Sequence, residues 1–309
     1  MSDSGGKMIP DYEVLAREID RLAPVSGIFS LAGAGEIVRR NVPARSENVL
    51  CRASISLAIQ GRRSVSAGGE TCEYGCGQYI LNCVDAPCIM HGPVGEEPFL
   101  ALSMDLDPAL LARIYGDMEA LDEPSSENGG SDEHDEANAG AGQSLYVGTI
   151  TPDLFHVFQR LVRLAGDPKL ARFVVPLLRQ ELHCYLALGS YGKILRAFYA
   201  SSSQSGLIVR AASFMREHCG ERLRIETLAR MVNMGESTFN RNFKKVTSLS
   251  PLQYHKHLKL YEARRLMAEE GMSAASACFA VGYESQQQFT REYKRLFGDP
   301  PMKDVRRNS

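Results

Sequence analysis

Residues 226–301 read ETLARMVNMGESTFNRNFKKVTSLSPLQYHKHLKLYEARRLMAEEGMSAASACFAVGYESQQQFTREYKRLFGDPP. A short pattern occurs in this stretch twice. Phe239, Arg241, Phe243, Lys244 and Pro251 return as Phe289, Arg291, Tyr293, Lys294 and Pro301, each fifty positions on. A pattern repeated at one spacing marks a supersecondary unit used twice. In the first copy the apolar spacing predicts a helix from Leu207 to His218, closed near Gly220, and a second from Glu226 to Asn233. After a tight turn at Gly235 a third runs from Ser237 to Val246. Leu228, Ala229, Val232, Phe239 and Phe243 supply a shared buried face. Helix, short turn, helix is the helix-turn-helix unit. Its second helix lies in the DNA major groove with its leading residues at base edges. Away from Phe239 and Phe243 stand Ser237, Thr238, Asn240, Arg241 and Lys244. Asparagine suits adenine edges, and arginine suits guanine edges or phosphate.

Ser250-Pro251 opens a long helix to Met267, which at 1.5 Å per residue spans roughly 25 Å. Ser273 starts the second unit and Gly282 breaks its first helix. Ser285 caps a last helix, QQQFTREYKRLF, stopped by Gly298 and Pro300-Pro301. Gln286, Gln287, Gln288, Thr290 and Arg291 form its polar leading face. Such a rod sets two recognition helices about one DNA turn apart, roughly 34 Å. The copies are similar but not equivalent. The stretch from Gly282 to Arg291 is one residue longer than that from Asn233 to Arg241. Two different readers imply an asymmetric site for each monomer.

Charge supports a polyanion partner for this end of the chain. From Gly206 to Ser309 there are 18 Lys+Arg and 11 Asp+Glu, a net of +7; the rest carries 17 and 26, a net of −9. A basic domain beside an acidic one fits nucleic acid. The 309 residues fit about two domains at roughly 150 residues each. No stretch approaches the ~20 apolar residues of a membrane span, and MSDSGGKMIPDYE has no apolar signal core. A cytoplasmic location and reduced cysteines follow as expectations.

The preceding residues change period. Asp11 to Leu22 reads as a short amphipathic helix. In CRASISLAIQ, Cys51, Ala53, Ile55, Leu57 and Ile59 alternate with mostly polar neighbours, as in a half-buried strand. The Gly68-Gly69 pair between RRSVSA and ETCEYGCGQYILNCV signals a hairpin. Leu100, Leu102, Met104 and Leu106 alternate again. Short strands with glycine turns predict an antiparallel sandwich or small barrel, able to hold a small ligand in its mouth. Asp107-Pro108 opens a helix to Tyr115. Residues 117–143 are acidic, rich in Ser, Gly and Asn, and read as a disordered surface loop. Helices then follow from Thr151 and from Pro168 to Leu188, an antiparallel pair whose apolar surplus serves a dimer interface or the core. Residues 189–205 read as a linker.

The C-terminal residues resemble the DNA-binding domain of the AraC/XylS transcriptional regulators. LARMVNMGESTFNRNFKKVTSLSPLQY, EARRLM and VGYESQQQFTREYKRLFGDPP carry the likeness. Ala277-Cys278 departs from it, where the family has a larger aliphatic residue before alanine. The resemblance implies that Ser237, Thr238, Asn240 and Arg241 contact one groove, and Gln286, Gln287, Gln288, Thr290 and Arg291 the next. It also implies promoter activation through RNA polymerase. QGRRSV and EYGCGQYIL resemble the cupin-like N-terminal domain of a subgroup of the same family. The implied fold is α+β and multidomain. Residues 1–116 form a cupin-like effector domain, an antiparallel β-barrel with flanking helices, and 117–143 the acidic loop. Residues 144–200 form a helical pair, a candidate for homodimerisation, and 201–309 an all-α double helix-turn-helix domain.

Other chemistry has little support. No His precedes His91, so a metal site with three or four ligands is not expected in the β-domain, nor any cofactor. His255 and His257 on the long helix read as a solvated or phosphate-facing pair. Cys72, Cys76, Cys83 and Cys88 are candidate redox or metal-sensing thiols, or small buried hydrophobes. There is no G-x-S-x-G, Walker or G-x-G-x-x-G motif, and no enzyme is expected. The sequence implies a bacterial-type, sequence-specific DNA-binding transcription regulator answering an unidentified small molecule or stress signal. The alternative is a cupin-type enzyme or ligand-binding protein with an appended interaction module.

Overall fold

The computed structural model describes residues 11–31, 33–42, 44–121, 144–200 and 203–308, with residues 307 and 308 described by their backbone alone. Elements are numbered over these residues. Helix α1 (Tyr12–Leu22) is capped by Asp11, which accepts from the Val14 amide at 3.0 Å. The strands are β1 (Gly27–Ser30), β2 (Glu36–Arg40), β3 (Glu47–Cys51), β4 (Ser54–Gln60), β5 (Arg62–Ala67), β6 (Glu70–Gly75), β7 (Gln78–Asn82), β8 (Ala86–Pro93), β9 (Phe99–Asp105) and β10 (Leu145–Thr149). They pair antiparallel in two sheets, ordered β1-β2-β9-β4-β7-β10 and β3-β8-β5-β6. The expected hairpin is present, with Ala67 opposite Glu70 and both turn glycines at positive φ.

The pleat of β9 decides the layers. Leu100, Leu102 and Met104 join Ile55, Leu57 and Ile59 of β4 in a core beneath the helices, whereas Phe99 and Ala101 face the other sheet beside Ala58. Strand β4 is therefore buried on both faces, not half-buried; its polar-looking partners are small residues that let the sheets approach. The run CRASISLAIQ is also broken. Cys51 ends β3 in the small sheet, and the chain crosses to β4 at Ala53, whose amide donates to Asp85 at 2.8 Å.

Helix α2 (Pro108–Leu121) starts on Asp107, which accepts from the Ala109 and Leu110 amides. It continues past Tyr115 into the expected loop, because Met118 packs on the core and Glu119 pairs with Arg196 at 2.9 Å. The rest of that loop, 122–143, lies outside the described residues. Helices α3 (Pro152–Leu164) and α4 (Pro168–Leu188) form the expected pair. About half of the expected linker is another helix, α5 (Gly192–Tyr199). Phe198 and Tyr199 are buried, and the Tyr199 hydroxyl donates to the Cys83 carbonyl at 2.7 Å. Apolar anchoring here overrides the appearance of a hinge.

The basic segment is all helical: α6 (Gln204–Glu217), α7 (Ile225–Met231), α8 (Glu236–Thr247), α9 (Pro251–Glu269), α10 (Ala274–Ala280), α11 (Gln286–Phe297) and α12 (Pro301–Asn308). Ser250 and Gln253 form a capping box on α9. Helix α12 was not expected. Gly298 ends α11 at φ 86°, and Pro301, poor inside a helix, is well placed to begin one.

Candidate nucleic-acid interface and ligand cavity

In the first unit α7 and α8 meet across a turn whose left-handed residue is Asn233, at φ 54°. Gly235, expected to make that turn, has φ −70° and is the N-cap of α8. Phe239 and Phe243 are fully buried, and Phe243 meets the Tyr254 ring edge-on at 5.2 Å. With that face committed, Ser237, Thr238, Asn240, Arg241 and Lys244 are all exposed. Asn240 donates to the Glu236 carbonyl at 2.9 Å, which leaves its side-chain oxygen outward.

The second unit repeats the arrangement with the longer turn read from the sequence. Gly282 takes the left-handed conformation at φ 74°, and Ser285 caps α11. A side chain at Gly282 would meet the Gly220 carbonyl oxygen at 2.5 Å, so this turn requires glycine. Phe289, Tyr293 and Phe297 point inward; Gln286, Gln287, Gln288, Thr290 and Arg291 are exposed. Among the described residues Arg241, Lys244 and Arg291 make no ion pair.

Glu292 sets the aim of α11. It accepts from Lys256 at 3.0 Å, Tyr283 at 2.8 Å and Gln288 at 3.1 Å. Burial would raise its carboxyl, but these three donors outweigh it and hold the group below the ordinary range. Asp304 on α12, 1 % exposed, accepts from the Tyr293 hydroxyl and pairs with Arg264 at 3.0 Å. Sequence reasoning missed both anchors, though a lone acid following Pro301 was a visible signal.

His255 and His257 do not form a solvated pair. His255 is buried and bonded to the Cys219 carbonyl at 2.9 Å; His257 meets the Tyr261 ring edge-on at 6.4 Å, and its Nδ1 is buried without a partner among the described residues. Burial pushes both imidazoles down. Residues two apart on a helix point to different neighbours, here the first and second units.

The DNA-directed half touches the β-domain through β3. Asn48 donates to the Leu296 carbonyl of α11 at 2.8 Å, and Arg264 donates to the Asn48 carbonyl at 3.2 Å. Arg216 of α6 pairs with the buried Asp85. The inward residues of β3, Val49 and Cys51, line a cavity of about 180 Å³ between the sheets. Val38, Val65, Tyr74, Ile80, Phe99 and Leu145 give it an apolar wall. Arg52 pairs there with Asp105 at 2.6 Å, and Arg40 with Glu47 at 3.7 Å. Arg63 is 3 % exposed and donates to the His91 carbonyl at 2.8 Å.

The four candidate thiols are dispersed. Cys72 is half-buried on β6, Cys76 sits in the turn after it, Cys83 is buried under the helices, and Cys88 is buried between the sheets beside Cys51. Burial pushes the thiols of Cys72, Cys76 and Cys83 up, the reverse of what a reactive thiolate needs. Among the described residues no cluster of three or more His, Cys, Asp or Glu could hold a metal, and no helix is long and apolar enough to cross a membrane.

A cavity-bearing β-domain joined to two helix-turn-helix units on one rod is the architecture of a DNA-binding regulator. The chain belongs to the AraC-type transcriptional regulators, a non-enzymatic family. The profile of the AraC-type transcriptional regulator N-terminus matches residues 36–194, just over half of the chain, and a helix-turn-helix domain matches 228–307. The MmsAB operon regulatory protein of Pseudomonas aeruginosa is 34% identical over 89 residues, 29% of each chain. The virulence regulon transcriptional activator VirF of Yersinia enterocolitica is 27% identical over 159 residues, 51% of this chain and 58% of that one. These alignments span less than two thirds of the relatives' own lengths. Fatty-acid-bound ToxT of Vibrio cholerae shares the fold at a TM-score of 0.59 and 8% identity, covering 87% of this chain and 93% of that one.

Proposed function

We propose that the chain is a sequence-specific promoter activator whose α8 and α11 read successive major-groove faces. One observation carries this reading. Both helices bury aromatic residues at matching positions and expose Ser237, Thr238, Asn240, Arg241 and Lys244 on one, Gln286, Gln287, Gln288, Thr290 and Arg291 on the other. Those side chains carry the donors and acceptors of base and phosphate recognition. Contact with RNA polymerase from the same domain would turn binding into activation. The test is fluorescence anisotropy on the cognate promoter duplex. Affinity should fall steeply with salt, and Arg241→Ala and Arg291→Ala should each cost ~1–3 kcal/mol. Salt-insensitive binding, or full affinity in both variants, would sink the assignment.

The inter-sheet cavity is the effector site in this reading, supported by the fatty acid in the ToxT structure. Strand β3 touches the cavity on one side and α9 and α11 on the other, giving occupancy a direct route to the second reader. The chain acts as a homodimer through α4, where Leu170, Phe173, Leu177 and Leu188 are 49, 74, 64 and 71 % exposed. A Phe173→Glu chain that still sediments as a dimer would refute that surface.

A further inference from the structure

We infer that the cavity is built for a compact apolar monoanion whose carboxylate is held by Arg63. This rests on reading the cavity as the effector site and adds the chemical class of the ligand.

Arg63 is a cation buried to 3 % exposure with its guanidinium 5.8 Å from the Phe99 ring centre. Its described hydrogen bond goes to a neutral carbonyl, that of His91, and among the described residues it has no carboxylate partner. Buried charges are paired in folded proteins. The other two arginines facing the cavity are paired. Arg52 is bridged to Asp105, Arg40 to Glu47, and Glu36 is exposed on the Asp105 side. Arg40 adds a second unused donor, since its Nε is buried with no acceptor among the described residues. Three arginines and three carboxylates line the cavity, so its formal charge balances, but among the described residues none of the carboxylates lies within ion-pair distance of Arg63. Glu47, Glu36 and Asp105 also line it, and their charges disfavour a dianion such as phosphate.

Size narrows the class further. The cavity holds about 180 Å³, against ~150 Å³ for a dry protein cavity that takes benzene. A single ring or short acyl chain fits, and a long fatty acyl chain does not. Apolar walls on both sheets favour such a body.

The experiment is calorimetric titration of the full chain with cyclohexanecarboxylate, its uncharged carboxamide, hexadecanoate and inorganic phosphate. Cyclohexanecarboxylate should bind saturably, and the carboxamide at least tenfold more weakly. Arg63→Met should lose at least tenfold for the carboxylate, whereas Arg63→Lys retains part of it. The ligand-free Arg63→Met chain should melt no lower than wild type, because an unpaired buried cation gives way to an apolar side chain. Equal binding of acid and amide, tighter hexadecanoate or phosphate, unchanged binding by Arg63→Met, or no binding at all would overturn the proposal. So would a lower melting temperature of Arg63→Met, which would make Arg63 structural. Promoter affinity measured alongside separates the two readings. Carboxylate binding without any change in DNA affinity supports the site and refutes its effector role. A carboxamide that alone shifts DNA affinity supports the effector role and refutes the anion.

Discussion

The two helix-turn-helix units share a sequence pattern and differ in what they lean on. Phe239 and Phe243 of the first belong to a core that runs on through Ile208, Met215, Tyr254 and Leu258 into the helices over the β-domain. Phe289, Tyr293 and Phe297 of the second pack with Leu260, Ala263, Met267 and Val305 in a cluster of their own. That cluster meets the β-domain through hydrogen bonds at Asn48. The pattern thus repeats while the packing does not: the first unit is part of the main core, and the second has a smaller cluster of its own, which is expected to open separately.

Aromatic truncation tests this most severely. Phe239→Ala and Phe289→Ala each remove a ring of 0–1 % exposure, at a cost of ~3–5 kcal/mol. Native-state hydrogen exchange should show Phe239→Ala weakening α8 together with the β-domain helices, and Phe289→Ala exposing α10 to α12 alone. Equal loss of β-domain protection in both variants would mean a single core.

A smaller effect is expected at Arg264, which joins α9, α12 and β3 and stacks 4.9 Å from the Phe297 ring centre. Arg264→Ala leaves the Asp304 carboxylate buried without this cation and should destabilise the second unit by ~3 kcal/mol. Asp304→Asn in the same chain should restore part of it, and denaturant titration reads both.

The turns should respond unequally. Gly282→Ala meets both a left-handed backbone and the Gly220 carbonyl and should cost more than ~1 kcal/mol. Asn233→Gly, at an exposed left-handed position, should stay within ~0.5 kcal/mol. Comparable losses would remove the contrast between the turns.

The smallest effect is in pH. His255 and His257 titrate below their ordinary 6.5 because burial penalises the cation; Arg295 lowers His257 further, and Lys259 opposes charge on His255. The unfolded chain therefore takes up protons first, and stability falls as pH drops below 6.5. His257→Gln should flatten this dependence for the second unit, and His255→Gln for the first. Thermal unfolding from pH 7.5 to 5 checks both.

Much of this was legible locally. Ser285 as cap and QQQFTREYKRLF as helix were read with the right ends, because caps and apolar spacing act over a few residues. The Gly68-Gly69 hairpin was read the same way. The left-handed Asn233 was missed because asparagine adopts that conformation without announcing it. The separation of the cysteines and the split of CRASISLAIQ between sheets were missed because strand pairing is non-local. Arg63 passed unnoticed: on β5 it resembles exposed Arg62, and only the sheet across from it makes its burial matter.

The sequence by itself determined the repeat, the exposed polar faces of α8 and α11, the basic end of the chain and the antiparallel character of the β-domain. Each follows from helix or strand periodicity and from charge, which are written in neighbouring residues. Only the tertiary structure decided that one reader shares the main core while the other stands on its own cluster. It alone placed β3 between the cavity and the second helix-turn-helix unit and left Arg63 buried with no carboxylate partner among the described residues. Those outcomes depend on which distant surfaces meet, and burial, pairing and desolvation exist only once they have met.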